Sequence, residues 1–279
     1  MPLDISIVGR ELDAVEVDLT ARRSLAFAAG IDDPAEAGLR CEIASPFQCA
    51  AFEWLSAGGT PPGTLGLTNE EAARVVHAAQ DSTFLRPLRT GRRYRIVPRI
   101  VAARNIRAGA LVETEVLTID AGDDAPVIRT LSSAIYRGTP LTGAAGEGPV
   151  RAAVAAAPLT EAIIVPVDRW LPHIYTECAD IWNPIHTEPD AARAVGLPDL
   201  IVHGTALWAL SGRALVRRFA GGDSARAASL AGRFVGMAFP GRPLTLRHGH
   251  PDGAGDIAFE LVDGEDRPVV AAGRLSLRG

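Results

Sequence analysis

The chain has 279 residues, which suits either one large domain or two of ordinary size. With 47% hydrophobic residues it can form a substantial core, and its formal net charge of -5 argues against nucleic acid as the main partner. All 28 basic residues are arginine, which excludes Schiff-base chemistry on a lysine. The three cysteines have no disulfide or zinc spacing, and no signal peptide or membrane-length apolar run is recognisable, so we expect a cytoplasmic protein.

The first half of the chain reads as helices followed by strands. Helices are predicted over 19–30 and over 46–59, the second as a central helix that ends at a glycine pair. Thr68 and Glu71 have the spacing of a capping box that leads into a strand. The β-branched runs that follow, separated by loops with Gly and Asp, predict strands over 75–85, 92–104, 110–121 and 126–138.

A segment rich in Gly, Pro, Ala and Thr separates the two halves of the chain. It carries few large apolar residues and no strand alternation, which predicts a linker over 141–160. The division therefore gives an N-terminal unit over 1–140 and a C-terminal unit over 161–279.

The second half repeats the order of a long apolar helix followed by strands. The helix is predicted over 204–219, and the strands over 228–239, 243–250, 256–264 and 268–278. Since this order occurs twice, the sequence predicts an α+β duplication in which each of two antiparallel sheets wraps its own central helix.

The segment between Tyr175 and Phe219 concentrates the residue types that carry chemistry. Asp180, Asn183 and His186 place an acid, an amide and an imidazole within seven residues, around a helix-breaking Asn-Pro step. Gly204 begins the long apolar helix, and the unpaired N–H groups of a helix N-terminus attract negative charge. One proton-transfer group beside one oxyanion binder predicts an active site.

These residues resemble the MaoC-type (R)-specific enoyl-CoA hydratases, also called hydratase 2. The similarity is strongest over 180–189 (Asn-Pro-Ile-His within it), 202–205 (His-Gly) and 233–244, while the first half resembles the family more weakly and lacks the histidine. The resemblance implies a double hot-dog fold with a degenerate N-terminal half and a functional C-terminal half. It implies an enzyme that adds water to, or removes it from, an α,β-unsaturated acyl thioester.

The resemblance also assigns roles to single residues. His186 and Asp180 would hold the water, Asn183 would orient the loop, and the Gly204 N–H would polarise the thioester carbonyl. His203 would support the loop before Gly204, Tyr175 either lines the acyl pocket or packs in the core, and the remaining candidates for substrate contact are Ser211 and Arg233. An acyl-CoA or acyl-carrier-protein thioester would be the substrate, with no metal, cofactor, nucleic acid or membrane partner, and a homo-oligomer is open.

One departure from the family motif leaves the chemistry open. In Asp-x-Asn-Pro-x-His, the position of the acid falls on Ile181, and Asp180 comes one residue too early. If the segment is helical, one residue turns the carboxylate by about 100°. The alternatives are therefore a tailoring dehydratase, isomerase or cyclase on a larger polyketide-like substrate, or a non-catalytic acyl-binding hot-dog partner.

Overall fold

The computed structural model describes residues 2–34, 39–58, 62–143 and 158–279, and most of its strands belong to a single large sheet. The strands alternate in direction with their neighbours throughout this sheet. The described strands are β1 Leu3–Asp4, β2 Val15–Leu19, β3 Val75–Phe84, β4 Arg92–Ile106, β5 Gly109–Asp120, β6 Ala125–Arg137, β7 Leu141–Thr142, β8 Glu161–Val165, β9 Ala227–Phe234, β10 Leu244–His248, β11 Asp256–Val262 and β12 Pro268–Leu277. Of these, β1 and β7 form a separate two-stranded parallel sheet.

The order of the strands shows the internal duplication. The ten-stranded sheet runs β2-β4-β5-β6-β3-β9-β12-β11-β10-β8, so each half contributes five strands in the same relative order. The halves meet where β3 pairs with β9, in a register from Ala79 opposite Arg233 to Thr83 opposite Ser229. The predicted α+β double hot-dog fold is therefore confirmed, but the two sheets expected to be separate are one continuous sheet.

The helices lie mainly on one side of the strands and are unequal between the halves. The long helix of the second half spans Gly204–Phe219, as the apolar run predicted. In the first half, the predicted central helix is a 3₁₀ turn, a short α-helix and a π-helical turn in succession. The α-helices are α1 Ala21–Gly30, α2 Cys49–Glu53, α3 Asn69–Ala72, α4 Leu171–Ala179, α5 Pro189–Ala194 and α6 Gly204–Phe219, with the 3₁₀ turn at Pro46–Gln48 and the π turn at Trp54–Gly58.

The inner side of α2 is polar, which distinguishes it from α6. Thr130 and Gln80 donate hydrogen bonds of 2.5 and 2.6 Å to the two carboxylate oxygens of Glu53. Ser82 bonds to Thr130 at 2.8 Å, and the Cys49 thiol lies 3.7 Å from Ser82. Because α2 turns these polar groups towards the sheet, it has no continuous apolar stripe of the kind that marks α6 in the sequence.

Several boundaries differ from the prediction. Residue 19 ends strand β2, and α1 starts at Ala21 because the Thr20 hydroxyl accepts a hydrogen bond from the Arg23 N–H. Helix α4 and strand β8 were not predicted. Within the predicted linker, residues 144–157 lie outside the described part, and Leu141–Thr142 form β7, which pairs with β1, so the first unit extends at least to Thr142.

The main core draws side chains from both halves. Phe47 of the first half lies 5.7 Å, between ring centroids, from Trp208 of α6. Gly212 allows this approach, since a Cβ there would lie 2.8 Å from Phe47 and 2.6 Å from Leu230. None of the described helices is long and apolar enough to cross a membrane.

Candidate active site

His186 is held in a loop whose shape follows from its sequence. Pro184 cannot continue a preceding helix, and Asn183 takes an extended conformation in which its side chain caps the 3₁₀ turn Pro184–His186. The His186 Nδ1 atom lies 2.8 Å from the carbonyl oxygen of Ile201. Because a carbonyl only accepts, Nδ1 carries the proton, and the Nε2 of the neutral ring presents a lone pair.

A second imidazole lies against the first. The rings of His186 and His203 are stacked with centroids 3.6 Å apart and an angle of 24° between their planes. The His203 ring also lies 5.1 Å from the ring of Tyr175, between centroids. The Nε2 atom of His203 is bonded to the Thr176 hydroxyl at 3.2 Å, so α4 anchors the pair.

His203 directly precedes the N-terminus of α6. The first backbone hydrogen bond of this helix runs from the Leu207 N–H to the His203 carbonyl, and the His203 side chain does not cap the helix. The earlier N–H groups, beginning at Gly204, therefore have no acceptor within the helix. Carbon atoms of the Phe234 ring lie 3.1 Å from the position that a Cβ of Gly204 would occupy, so the ring packs closely against Gly204.

The electrostatic environment keeps both histidines neutral. Burial lowers the pKa of His186 to about 4, although its hydrogen bond to Ile201 acts in the other direction. Burial, and then the neighbouring His186, lower the pKa of His203 well below its usual range. Burial also raises the pKa of the Tyr175 hydroxyl. At neutral pH the site therefore offers a neutral imidazole beside the positive end of a helix dipole.

Asp180 does not share this environment. It ends α4 in a left-handed conformation (φ 56°), and its carboxylate is 67% exposed and 2.9 Å from Nη2 of Arg23. Its hydrogen bond is to Arg23, and the described contacts include none between its side chain and His186. The left-handed turn therefore holds the carboxylate in an ion pair with Arg23 at the seam between the halves, and no described contact supports the predicted pairing of Asp180 with His186 around a water.

The first half of the chain contains a turn equivalent to the one at Asp180. The N–H of Ile181 donates to the Thr176 carbonyl, as the N–H of Asp33 donates to that of Ala28. Asp32, like Asp180, is left-handed (φ 51°). Asp32 therefore corresponds to Asp180, and Asp33 occupies the position at which the second half has Ile181.

Two other predicted residues lie outside the site. The Ser211 hydroxyl is fully buried and donates to the Leu207 carbonyl at 2.8 Å, within its own helix. Arg233 precedes Phe234 in strand β9, and successive strand residues point to opposite faces. Since Phe234 faces α6, Arg233 points to the opposite, outer face of the sheet, and its predicted contact with substrate stays a prediction.

A cleft of about 210 Å³ lies beside this region, at the seam between the halves. It is lined by α1, by α2 with its flanking turns, and by the end of α4, including Arg23, Gln48 and Asp180. His186 and Gly204 are not among its lining residues.

Three groups of the site were not singled out from the sequence. Thr176 anchors His203, the Ile201 carbonyl fixes the His186 tautomer, and Phe234 packs closely against Gly204. The sequence carried a signal only for Phe234, which lies in the segment 233–244 that resembles the hydratases. A backbone carbonyl has no sequence signature, and a threonine in a helix that was not predicted could not be placed.

Comparison with known proteins agrees with this geometry. The MaoC like domain family matches residues 174–267. The enoyl-CoA hydratase ChsH3 of Mycobacterium tuberculosis is 33% identical over 36% of the chain and 34% of its own length. The 3-hydroxyacyl-thioester dehydratase Y of the same organism is 29% identical over 62% of the chain and 61% of its own length. The chain thus matches less than two thirds of the length of these curated relatives.

Solved structures extend the similarity to the whole fold. A MaoC-like dehydratase from Phytophthora capsici has a TM-score of 0.83 at 23% identity, over 97% of this chain and 95% of its own. A Mycobacterium tuberculosis protein described as a double hotdog fold has a TM-score of 0.64 at 14% identity, over 96% of this chain and 95% of its own. The chain has the double hot-dog fold of these proteins, and residues 174–267, with His186 and Gly204, match the MaoC like domain family.

Proposed function

We propose that the chain is a hydro-lyase that adds water to, or removes it from, an α,β-unsaturated acyl thioester. The observation that carries the proposal is that the His186 ring is stacked on His203, the residue before Gly204. A base is thereby held next to the residue that precedes a helix N-terminus able to bind an oxyanion. The names of the relatives, an enoyl-CoA hydratase and a 3-hydroxyacyl-thioester dehydratase, support the same reaction class.

The geometry suggests how the reaction proceeds. In the hydration direction, Nε2 of His186 takes a proton from water as the water oxygen bonds to the β-carbon. The electron pair of the double bond moves towards the thioester oxygen, and the N–H of Gly204 stabilises the charge that develops there. The proton on Nε2 is then delivered to the α-carbon, which restores the neutral imidazole and completes the addition of one water.

We infer that His186 moves both protons alone. The position of the family acid holds Ile181, which is 3% exposed, and the carboxylate of Asp180 is bonded to Arg23. One imidazole is sufficient because the proton that it accepts from water is the proton that it then donates to the α-carbon. His186 therefore acts first as base and then as acid.

The substrate site is proposed to use both halves of the chain. Phe27 of α1 lies 6.1 Å from Tyr175, and His77 of β3 lies 4.9 Å from Phe234, in each case between ring centroids. We propose that the first unit, to about residue 142, is degenerate and forms the far wall of the acyl site, and that acyl-CoA or an acyl carrier protein presents the thioester. The three free cysteines fit a reducing compartment, and we propose a cytoplasmic location.

The absence of a carboxylate from the position of the family acid favours a second candidate function. A single base without an acid partner is also suited to isomerising or cyclising a larger polyketide-like acyl chain, in which a proton is taken from one carbon and returned to another. This candidate predicts that simple enoyl-CoA is turned over poorly, while proton exchange at a carbon of a larger acyl thioester depends on His186.

Hydration of crotonyl-CoA by the purified chain tests the proposal. His186→Ala should reduce kcat/KM by about 100-fold or more, the usual effect of removing a general acid-base group. His250→Ala is the matched control, since His250 is 59% exposed and bonds to Glu161, away from the loop. Equal rates in His186→Ala and the wild type would reject the proposal.

A further inference from the structure

We propose that His203 is a positioning residue for the reaction: its ring covers one face of the His186 imidazole and, anchored to Thr176, fixes the direction in which Nε2 points. The catalytic consequence rests on the function proposed above. The structural part of the inference, that His203 shields and orients His186, does not.

Two contacts fix the plane of the His186 ring. The hydrogen bond from Nδ1 to the Ile201 carbonyl sets one direction in that plane, but it leaves the ring free to rotate about the bond. The stacked His203 ring, 3.6 Å away, removes this freedom. With both contacts in place, the lone pair of Nε2 has one direction relative to the N–H groups of α6.

His203 is itself held from two sides. Its Nε2 is bonded to the Thr176 hydroxyl, and the Tyr175 ring lies 5.1 Å from its ring, between centroids. His203 is 2% exposed. Because its Nε2 is bonded to Thr176 and its ring is stacked on His186, we infer that His203 supports His186 and does not take the place of the base.

The cover also determines the charge of His186. A protonated imidazole needs water or a carboxylate near it, and the stacked ring excludes water from one face. The other titratable groups around the pair are Tyr175, whose ring lies 5.1 Å from that of His203, and His173, which bonds to the Thr187 carbonyl. The carboxylates nearest in sequence to the pair are those of Asp180, Glu188, Asp190 and Asp199; all four residues are exposed, and Asp180 is bonded to Arg23.

The stacked His203 ring therefore takes over part of the role that the acid of the family motif would have. In a carboxylate–imidazole pair, the acid both orients the ring and accompanies its charge. With Ile181 in the position of the acid, orientation falls to His203 and the ring is kept neutral instead. A neutral imidazole is the form that a base needs to accept a proton from water.

Three variants of the full chain separate the parts of this inference. His203→Ala removes the cover, His203→Phe keeps a ring over His186 but loses the anchor, and Thr176→Val removes only the anchoring hydroxyl. The readouts are the midpoint of the His186 ring in an NMR titration, which needs no activity, and the pH profiles of kcat and KM for crotonyl-CoA.

We expect His203→Ala to raise the titration midpoint of His186 by about one pH unit or more towards that of an ordinary histidine. The acid limb of the kcat profile should move with it, and kcat should fall by about 10- to 100-fold, with KM changed by less than about threefold. His203→Phe should keep the wild-type midpoint. Thr176→Val should lower kcat by about three- to tenfold, because the anchored ring becomes free to turn.

The inference is overturned if His203→Ala retains both the midpoint and the kcat of the wild type. If that variant does not fold, a wild-type kcat in Thr176→Val, or an altered midpoint in His203→Phe, overturns it instead. A failure of the proposed function is distinguishable, since the wild type would then not hydrate the substrate while the midpoint still depended on His203.

Discussion

At the scale of single residues, Asp180 shows how a displacement by one residue along the sequence changes the contacts of a side chain. Asp180 follows the last turn of α4 in a left-handed conformation, as Asp32 follows α1. Each carboxylate reaches an arginine of the other half, Arg23 for Asp180 and Arg213 for Asp32. Both aspartates therefore join the two halves. Reading the motif in the sequence identified the displacement, but the turn that directs the carboxylate away from His186 depends on backbone angles that the sequence did not show.

The exposed ion pair of Asp180 leads to the first prediction. Asp180→Asn should keep kcat/KM for crotonyl-CoA within about threefold of the wild type, because the carboxylate has no contact with His186. Stability should fall by no more than about 1 kcal/mol, as for an exposed pair. Steady-state kinetics and urea denaturation measure both quantities. A loss of activity comparable with that of His186→Ala, in a folded variant, would show that the carboxylate takes part in catalysis.

Glu53 gives a prediction about pH at the same scale. Burial raises its pKa from 4.5 to about 7, although hydrogen bonds from Thr130 and Gln80 favour the ionised form. Between these two pH values the folded chain holds a proton that the unfolded chain has released, so the free energy of unfolding should fall as the pH rises from about 4.5 to about 7. This difference in pKa corresponds to at most about 3 kcal/mol.

The variant Glu53→Gln isolates this contribution. It keeps the size of the side chain but cannot ionise, so the difference in unfolding free energy between wild type and variant should change across the same pH range, to the disadvantage of the wild type at higher pH. Urea denaturation at several pH values measures it. A difference that does not vary between pH 4.5 and 7 would mean that Glu53 titrates as an exposed carboxylate does.

At the scale of elements, α6 was predicted in full and its neighbours only in part. Its apolar run between Gly204 and Phe219 predicts a buried helix, because the run has the length of a helix and its polar residues collect at its end. Helix α4 was not predicted, although Pro172 lies in its first turn, where a proline commonly marks the start of a helix. The polar and apolar residues among its nine positions do not follow a clear helical period. The strands of each half were predicted because β-branched residues and turn residues alternate there.

The close approach of α6 to the first half supports the next prediction. Gly212→Ala should destabilise the chain by about 1–3 kcal/mol, since the new methyl group would lie 2.6 Å from Leu230 and 2.8 Å from Phe47. Gly264→Ala is the matched control, because a Cβ there meets nothing within 4 Å. Chemical denaturation of both variants measures the effect. Equal midpoints for the two variants would indicate that α6 can shift without cost against Phe47.

At the scale of the whole molecule, the two halves form one structure. The sheet continues from β3 into β9, and buried side chains of both halves share a single main core. The duplication itself was visible in the sequence, since the order of helix and strands occurs twice. The continuity of the sheet was not, because nothing in the alternation of a strand indicates which other strand will pair with its edge.

This continuity predicts the behaviour of the isolated second half. Removal of residues 1–140 would leave the backbone groups of β9 unpaired along one side and uncover Trp208, which is fully buried against Phe47. An unpaired strand edge beside exposed apolar surface favours aggregation. The fragment should therefore be insoluble, although it contains His186, His203 and Gly204.

A chain cut within residues 144–157 is the appropriate control, since both halves are then present and only the covalent connection is lost. The two pieces should remain associated and elute together in size-exclusion chromatography, because β3–β9 pairing and the Phe47–Trp208 contact do not depend on that connection. A soluble, active fragment lacking residues 1–140 would contradict the prediction. The first half would then be dispensable for the site, and the contacts of Phe27 with Tyr175 and of His77 with Phe234 would have no part in it.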